Sequence, residues 1–350
     1  MATTDRGHHT SDEHRLHELG YAQELRRKMS GFSNFAVSFT IISILSGCLT
    51  LFAFGMDAGG PVTFSISWPI VGIMVTFVAL AMAEVCSSYP TAGGLYYWSA
   101  KLAKRNAPAW SWFTGWFNLL GQVAVTAGID FGLANFVGAY LNLAFDMEVT
   151  RGRIMIIYGI VLLLHGLLNT FGVTLVALLN DISVWWHVIG VTVIVGSLLI
   201  FTDDLNSPSF VFGEFVNETG WDNSFYVLLL GLLVAQYTLT GYDASAHMTE
   251  ETRNASVAGP KGIVNSVVVS VIAGWILLLG MTFAIGDYAA QRGSDTGVPP
   301  AQIFIDSVGR TGGELLLLIV IGAQFFCGMS SVTANSRMIY AFSRDGALPA

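Results

Sequence analysis

From Ile154 to Thr202 the chain carries a single formal charge, Asp181, and no other feature constrains the fold as tightly. The hydrocarbon core of a bilayer is about 30 Å thick, and a helix needs about 20 mostly apolar residues to cross it. This run is too long for one crossing, and Asn169-Thr170-Phe171-Gly172 is its turn-like break, so it reads as two helices joined tightly. The same ruler places further spans, giving Phe35–Phe54, Trp68–Val85, Trp110–Leu143, Ile154–Phe171, Leu175–Phe201, Phe225–Met248, Ile263–Ile285 and Leu315–Phe342. A closed β-barrel would instead show alternating strands of about ten residues. Eight of the 9 prolines fall between or beside the spans, and Pro69 falls in a first turn, where a missing N–H is harmless.

Composition agrees with this reading. Only 11% of the 350 residues are charged, against about 25% for a soluble domain, which excludes an ordinary soluble enzyme. A net charge of -8 argues against nucleic-acid binding. Cys48, Cys86 and Cys327 lie in apolar stretches and read as small buried hydrophobes. Residues 1–30 form a polar tail without the apolar core of a signal peptide, and residues 31–350 form the transmembrane domain. With the tail inside, twelve Lys and Arg fall on the cytoplasmic side. Only Arg151, Arg153, Arg292 and Arg310 fall outside, as the positive-inside rule requires.

No metalloprotease, nucleophile-elbow or phosphate-loop motif is present, so neither a catalytic residue nor a cofactor is expected. His8, His9, His14 and His17 cluster in the tail, where solvation explains them better than a metal. The polar interruptions of the spans say more. The first span carries Ser43-Ile44-Leu45-Ser46-Gly47-Cys48, and the sixth carries Thr238-Leu239-Thr240-Gly241-Tyr242-Asp243. Irregular backbone at membrane depth survives only where it is buried in protein or lines a cavity. Two interrupted helices at corresponding places in two halves point to a transport site, whereas close helix packing is the alternative for either glycine alone.

If the first span unwinds around Leu45–Gly47, its outer half begins with free N–H groups that suit a carboxylate. The sixth span, entering from outside, would end its first half near Leu239–Gly241 with free carbonyls that suit an ammonium. Asp243 reads equally as a pathway carboxylate or as a cap on the inner half of its helix. Asp130 is a pathway residue or a structural partner near the outer surface. Glu84 is expected to organise the Gly-rich loop that follows it, and Glu250 and Glu251 to form an inner network with Arg253.

Several segments resemble the amino acid–polyamine–organocation superfamily of permeases, and within it the amino acid/choline transporter branch. They are Leu19-Gly20-Tyr21-Ala22-Gln23-Glu24-Leu25-Arg26-Arg27, the run from Glu84 to Ala100 around Tyr89-Pro90-Thr91-Ala92-Gly93-Gly94, the stretch from Gly241 to Thr252, and Ala334 to Gly346. The resemblance implies an all-α membrane protein with two inverted repeats of five helices, broken at helices one and six. Such a chain would stop after three helices of the second repeat, as a truncated form of a twelve-span protein. The resemblance also implies a secondary transporter of the cell membrane for an amino acid, a GABA-like zwitterion or a choline-like amine. The ligand would sit on Leu45, Ser46, Gly47, Thr240, Gly241, Tyr242 and Asp243, and for choline Tyr242 or Trp186 would offer an aromatic face. Related permeases carry a lysine on helix five in place of a sodium ion, and matching Asn180-Asp181-Ile182-Ser183 puts His187 there. An imidazole at that place would couple transport to protons, the alternative being a neutral core histidine. A membrane sensor or non-transporting fragment with the same fold is the alternative function.

Overall fold

Backbone amides in lipid find no water, so each crossing segment must close its own hydrogen bonds and becomes a helix. The computed structural model describes residues 4–294 and 296–348, without the side chains of residues 4–10 and 173. The tail forms α1 (Thr4–Glu18) and a strap that leads to α2 (Gly31–Ile42). The chain continues through α3 (Ile44–Thr50), α4 (Phe52–Asp57), α5 (Trp68–Ser88), α6 (Leu95–Leu102), α7 (Ala107–Phe145), α8 (Arg151–Phe171) and α9 (Val173–Phe201). After α10 (Pro208–Gly213) come α11 (Ser224–Thr238), α12 (Ala244–His247), α13 (Ala255–Phe283), α14 (Tyr288–Arg292) and α15 (Pro299–Arg344), the last interrupted at Gly309. Seven helical stretches among the described residues are long and apolar enough to cross a membrane, and α11 is a shorter apolar helix.

The turn between the fourth and fifth spans is where the sequence puts it, with α8 ending at Phe171 and capped at Gly172. The sixth stretch is not one helix: α11 stops at Thr238 and resumes as α12. One proline lies deeper than expected: Pro260 is inside α13. Pro69 is in the first turn of α5, as expected, and follows directly on a π-helical turn over Thr63–Ser67. Proline has no N–H to give the carbonyl four residues back, and that carbonyl, on Ser65, accepts the Trp275 indole N–H at 2.8 Å. Trp68 returns the gesture, donating to Val271 O at 2.8 Å. The two exchanges pin α5 to α13.

Burial sorts the helices by position. In the first span, α2 with α3, 83% of the apolar window is buried, against 17% in α8. The first span is therefore the axis of the bundle, and α8 is a peripheral helix presenting Ile156, Ile160, Leu163 and Leu167 outward. The same holds for Ile73, Met74 and Phe77 of α5, an apolar exterior that suits lipid. Away from the tail, Ala58–Gly59 pairs antiparallel with Val216–Asn217, a two-residue departure from the all-helical expectation.

Candidate functional site

Ser43 breaks the first span. Its backbone adopts a left-handed conformation, φ 35° and ψ 81°, two residues before the expected unwinding at Leu45–Gly47. The displacement changes which amides are available. Ser46 and Gly47 N–H both turn back to Ser43 O, at 2.8 and 2.9 Å, so Ile44 and Leu45 are the amides that start α3 without a carbonyl of their own helix to reach.

The sixth span breaks where the sequence places it. Leu239 ends α11, and Gly241 takes φ 87°, a conformation open to glycine at no steric cost. The two breaks press against each other. A Cβ on Gly47 would stand 2.6 Å from Thr238 Oγ1, and one on Gly241 would collide with Ile41. Between them is a cavity of about 10 Å³, bounded by Ser46, Gly47, Tyr237, Thr238, Thr240 and Cys327, room for one water. Ser46, Gly47 and Thr240 thus share one cavity. Leu45 is buried in the core beside Gly190. Tyr242 meets the first span through its carbonyl, which accepts from Ser38 Oγ at 3.0 Å. The Thr240 hydroxyl is committed to Tyr237 O at 2.9 Å.

Asp243 does not cap α12. Its backbone is already helical, φ -67° and ψ -17°, and its side chain makes no cap bond. A capping residue normally sits in the extended region so that its oxygen can reach back. The carboxylate turns instead to Asn118 Nδ2 at 3.3 Å and His247 Nε2 at 3.4 Å. The start of α12 is secured from α2, where Ser38 Oγ accepts Ser245 N–H at 2.8 Å and Asn34 Nδ2 donates to Ser245 O at 2.9 Å.

His187 is fully buried and meets the break in the first span directly. Its Nδ1 lies 2.8 Å from Ser183 O, which only accepts, so Nδ1 carries a hydrogen. Nε2, 2.7 Å from Ser43 Oγ, is then free to accept that hydroxyl. Trp186 is not at the breaks; it donates to Ile319 O on α15 at 2.8 Å. On the tail side a cavity of about 420 Å³ opens among α2, α9 and α15, with Arg26, Lys28, Asn180, Thr333 and Arg337 on its walls. Asn180, Ser183 and His187 follow at helical spacing on one face of α9.

The tail side is closed by charged groups. Glu250 is fully buried and accepts two bonds from Arg344, both 2.9 Å, and one from Ala92 N–H at 3.0 Å. Arg337 holds Glu251 at 2.6 Å, so the arginines of this network come from α15 and not from Arg253. Glu84 is exposed, and the Gly-rich loop is held by Glu250 and by His247 instead. The strap crosses this surface: Arg27 donates to Thr249 O and Thr252 O, and Tyr21 and Tyr96 both donate to Asp345. Burial and the adjacent carboxylate raise both phenols well above the usual tyrosine range, keeping them as donors.

Asp130 has a structural partner, one of its two expected roles. It is fully buried against the equally buried His165, Nδ1 to Oδ1 3.1 Å. The sequence reading did not single out His165, His247, Asn118, Gln122 or Ser43. Polar side chains in apolar spans were the available signal. Among the described residues no three His, Cys, Asp or Glu converge on a metal position; the side chains of His8 and His9 lie outside the described residues.

Residues 30–350 match the family model described as "Amino acid permease". The chain is 45% identical to the amino-acid permease BAT1 homolog of Oryza sativa, over 96% of this chain and 68% of the relative. It is 44% identical to amino-acid permease BAT1 of Arabidopsis thaliana, over 97% and 69%. Against the GABA-specific permease of Saccharomyces cerevisiae it is 31% identical, over 97% and 61%.

Proposed function

Because the chain belongs to the amino acid permease family, a family of membrane transporters and not enzymes, we propose that it carries an amino acid or related amine, GABA among them, by alternating access. The observation that carries this reading is the meeting of two helix breaks, Gly47 on Thr238 and Gly241 on Ile41. The start of α3 offers amide N–H groups at Ile44 and Leu45, and the end of α11 offers carbonyls, so a zwitterion finds one pole for each of its charges. The cavity between the breaks is too small for an amino acid. Substrate therefore enters when the breaks part, with Ser46, Gly47, Thr240, Gly241, Tyr242 and Asp243 as its surroundings.

The proposed frame is the inverted repeat of five helices, with α2–α3 and α11–α12 as helices one and six and the second repeat represented by three helices. The tail faces the cytoplasm of a cell whose plasma membrane holds the protein. His187 is the proposed coupling residue: a second proton on its ring would turn Ser43 Oγ from donor to acceptor, at the residue where the first span breaks. The vestibule toward Asn180 supplies the route for that proton.

The test is uptake by the chain in sealed proteoliposomes with an inward proton gradient, using a panel of radiolabelled amino acids and amines. Accumulation of at least one against its own gradient is expected; binding in detergent without accumulation would indicate a sensor. His187→Gln should retain exchange and lose gradient-driven uptake, and normal pH-driven uptake in that variant would remove His187 from the coupling role.

A further inference from the structure

His247 sits one turn after Asp243, both on or beside α12, and the two ring nitrogens face different demands. Nδ1 is 2.8 Å from Ala92 O; a carbonyl only accepts, so Nδ1 carries a hydrogen and any second proton belongs on Nε2. Nε2 stands between an acceptor, Asp243 Oδ2 at 3.4 Å, and a donor, Gln122 Nε2 at 3.2 Å. The amide orientations form one chain: Asn118 Nδ2 donates to Asp243 Oδ2 at 3.3 Å, and Gln122 Nε2 donates to Asn118 Oδ1 at 3.1 Å. Gln122 therefore has its second amide hydrogen for His247. Without an added proton, Nε2 accepts from Gln122 and directs its lone pair beside a carboxylate. With one, the proton bridges Asp243 and His247 and the pair becomes neutral overall, which burial favours.

We propose that Asp243 and His247 form a proton-binding site whose proton latches the tail-side closure; this rests on the proposed reading that the two helix breaks, the second of which leads into α12, part during transport. Ala92 wires the site to the closure. Its carbonyl receives His247, and its own N–H goes to Glu250, which holds Arg344. A charged imidazole makes a bond to a carbonyl roughly twice as strong as a neutral one does. Loading the site therefore tightens α12 on the loop, and unloading it weakens that bond and sets lone pair against carboxylate. The groups facing the pair are few. From α7 come Asn118 and Gln122, and α2 meets α12 through Asn34 and Ser38. Next in the chain to Asp243 is Tyr242, whose carbonyl accepts from Ser38 Oγ. α13 meets this segment through Gly259 and Gly262. The two arginines at the tail-side end of α15, Arg337 and Arg344, are taken by Glu251 and Glu250.

The test reads the closure and not transport. Thr91 is fully buried beside Ala92, and Ser87 is exposed. The alkylation rate of Thr91→Cys, divided by that of Ser87→Cys, cancels the common pH dependence of thiols and should rise with pH as the latch unloads. His247→Gln and Asp243→Asn should flatten that rise. Gln122→Leu keeps both members and removes the competing donor, so it should move the rise to higher pH, and it serves if the first two variants fail to fold. A ratio independent of pH in the parent, a rise persisting in His247→Gln, or an unmoved rise in Gln122→Leu each overturns the latch. None of these results bears on whether liposomes accumulate an amino acid, and failed accumulation leaves the latch standing.

Discussion

A Cβ built on Gly47 would stand 2.6 Å from the Thr238 hydroxyl and 2.8 Å from Thr238 Cα. The second of those atoms is backbone, so no rotamer change relieves the clash. Over-packing of this kind typically destabilises by about 1–3 kcal/mol, and Gly47→Ala should lose stability in that range by thermal unfolding in detergent. Gly47→Val should in addition abolish substrate binding, read as loss of ligand-induced stabilisation, while the protein still reaches the membrane. If neither stability nor binding changes, the breaks are not held as tightly as the structure shows. In the proposed mechanism the packing and binding readings of this glycine are not rivals, because the surface that seals the closed cavity is the one proposed to part around a ligand.

At the scale of elements, the tail is part of the fold. Asp12 of α1 caps a helix far away in sequence, accepting Asn254 N–H at 2.6 Å and Ala255 N–H at 3.0 Å at the start of α13. Asn254 itself is left-handed and makes no cap bond, so the carboxylate from the tail supplies what a local side chain would normally give. Asp12→Ala should lower stability by about 1 kcal/mol, the usual loss for an N-cap, and loosen α1, measured by protease sensitivity of the tail. A tail cleaved at the same rate in the variant would show that the cap does not hold it. The strap's bonds from Arg27 and Tyr21 act in the same place, so any motion of α12 or the end of α15 must carry or shed the tail.

Across the whole molecule, charged groups gather at two ends. Arg292 pairs with Asp57 and Arg310 with Asp146 at one end; Arg337 with Glu251 and Arg344 with Glu250 at the other. The proposed orientation puts the second end in the cytoplasm. Asp204 and Lys104 are exposed. A cysteine replacing Asp204 should react with an impermeant thiol reagent added outside intact cells, and one replacing Lys104 should react only after permeabilisation. The opposite pattern would invert the topology and with it the direction of the tail-side vestibule.

Sequence by itself marked the apolar stretches and where they are interrupted, although the sixth stretch is a shorter apolar helix followed by a break and seven helical stretches among the described residues have crossing length. Apolar length and missing charge are one-dimensional properties, so the turn at Asn169–Gly172 and the break after Leu239 are legible without coordinates, and the break in the first span is displaced by only two residues. Partnership across helices is not one-dimensional. The nearest arginine in sequence to Glu250 is Arg253, yet the groups that reach the two carboxylates are Arg344 and Arg337, 94 and 86 residues away from their partners. Local rules left Asp243 equally a cap or a pathway carboxylate; its helical backbone excludes the cap, and the approach of α7 brings the carboxylate to Asn118 and His247. Tertiary structure decided these pairings because a buried charge takes whichever partner the packing of neighbouring helices brings within reach, and only the folded bundle sets those distances.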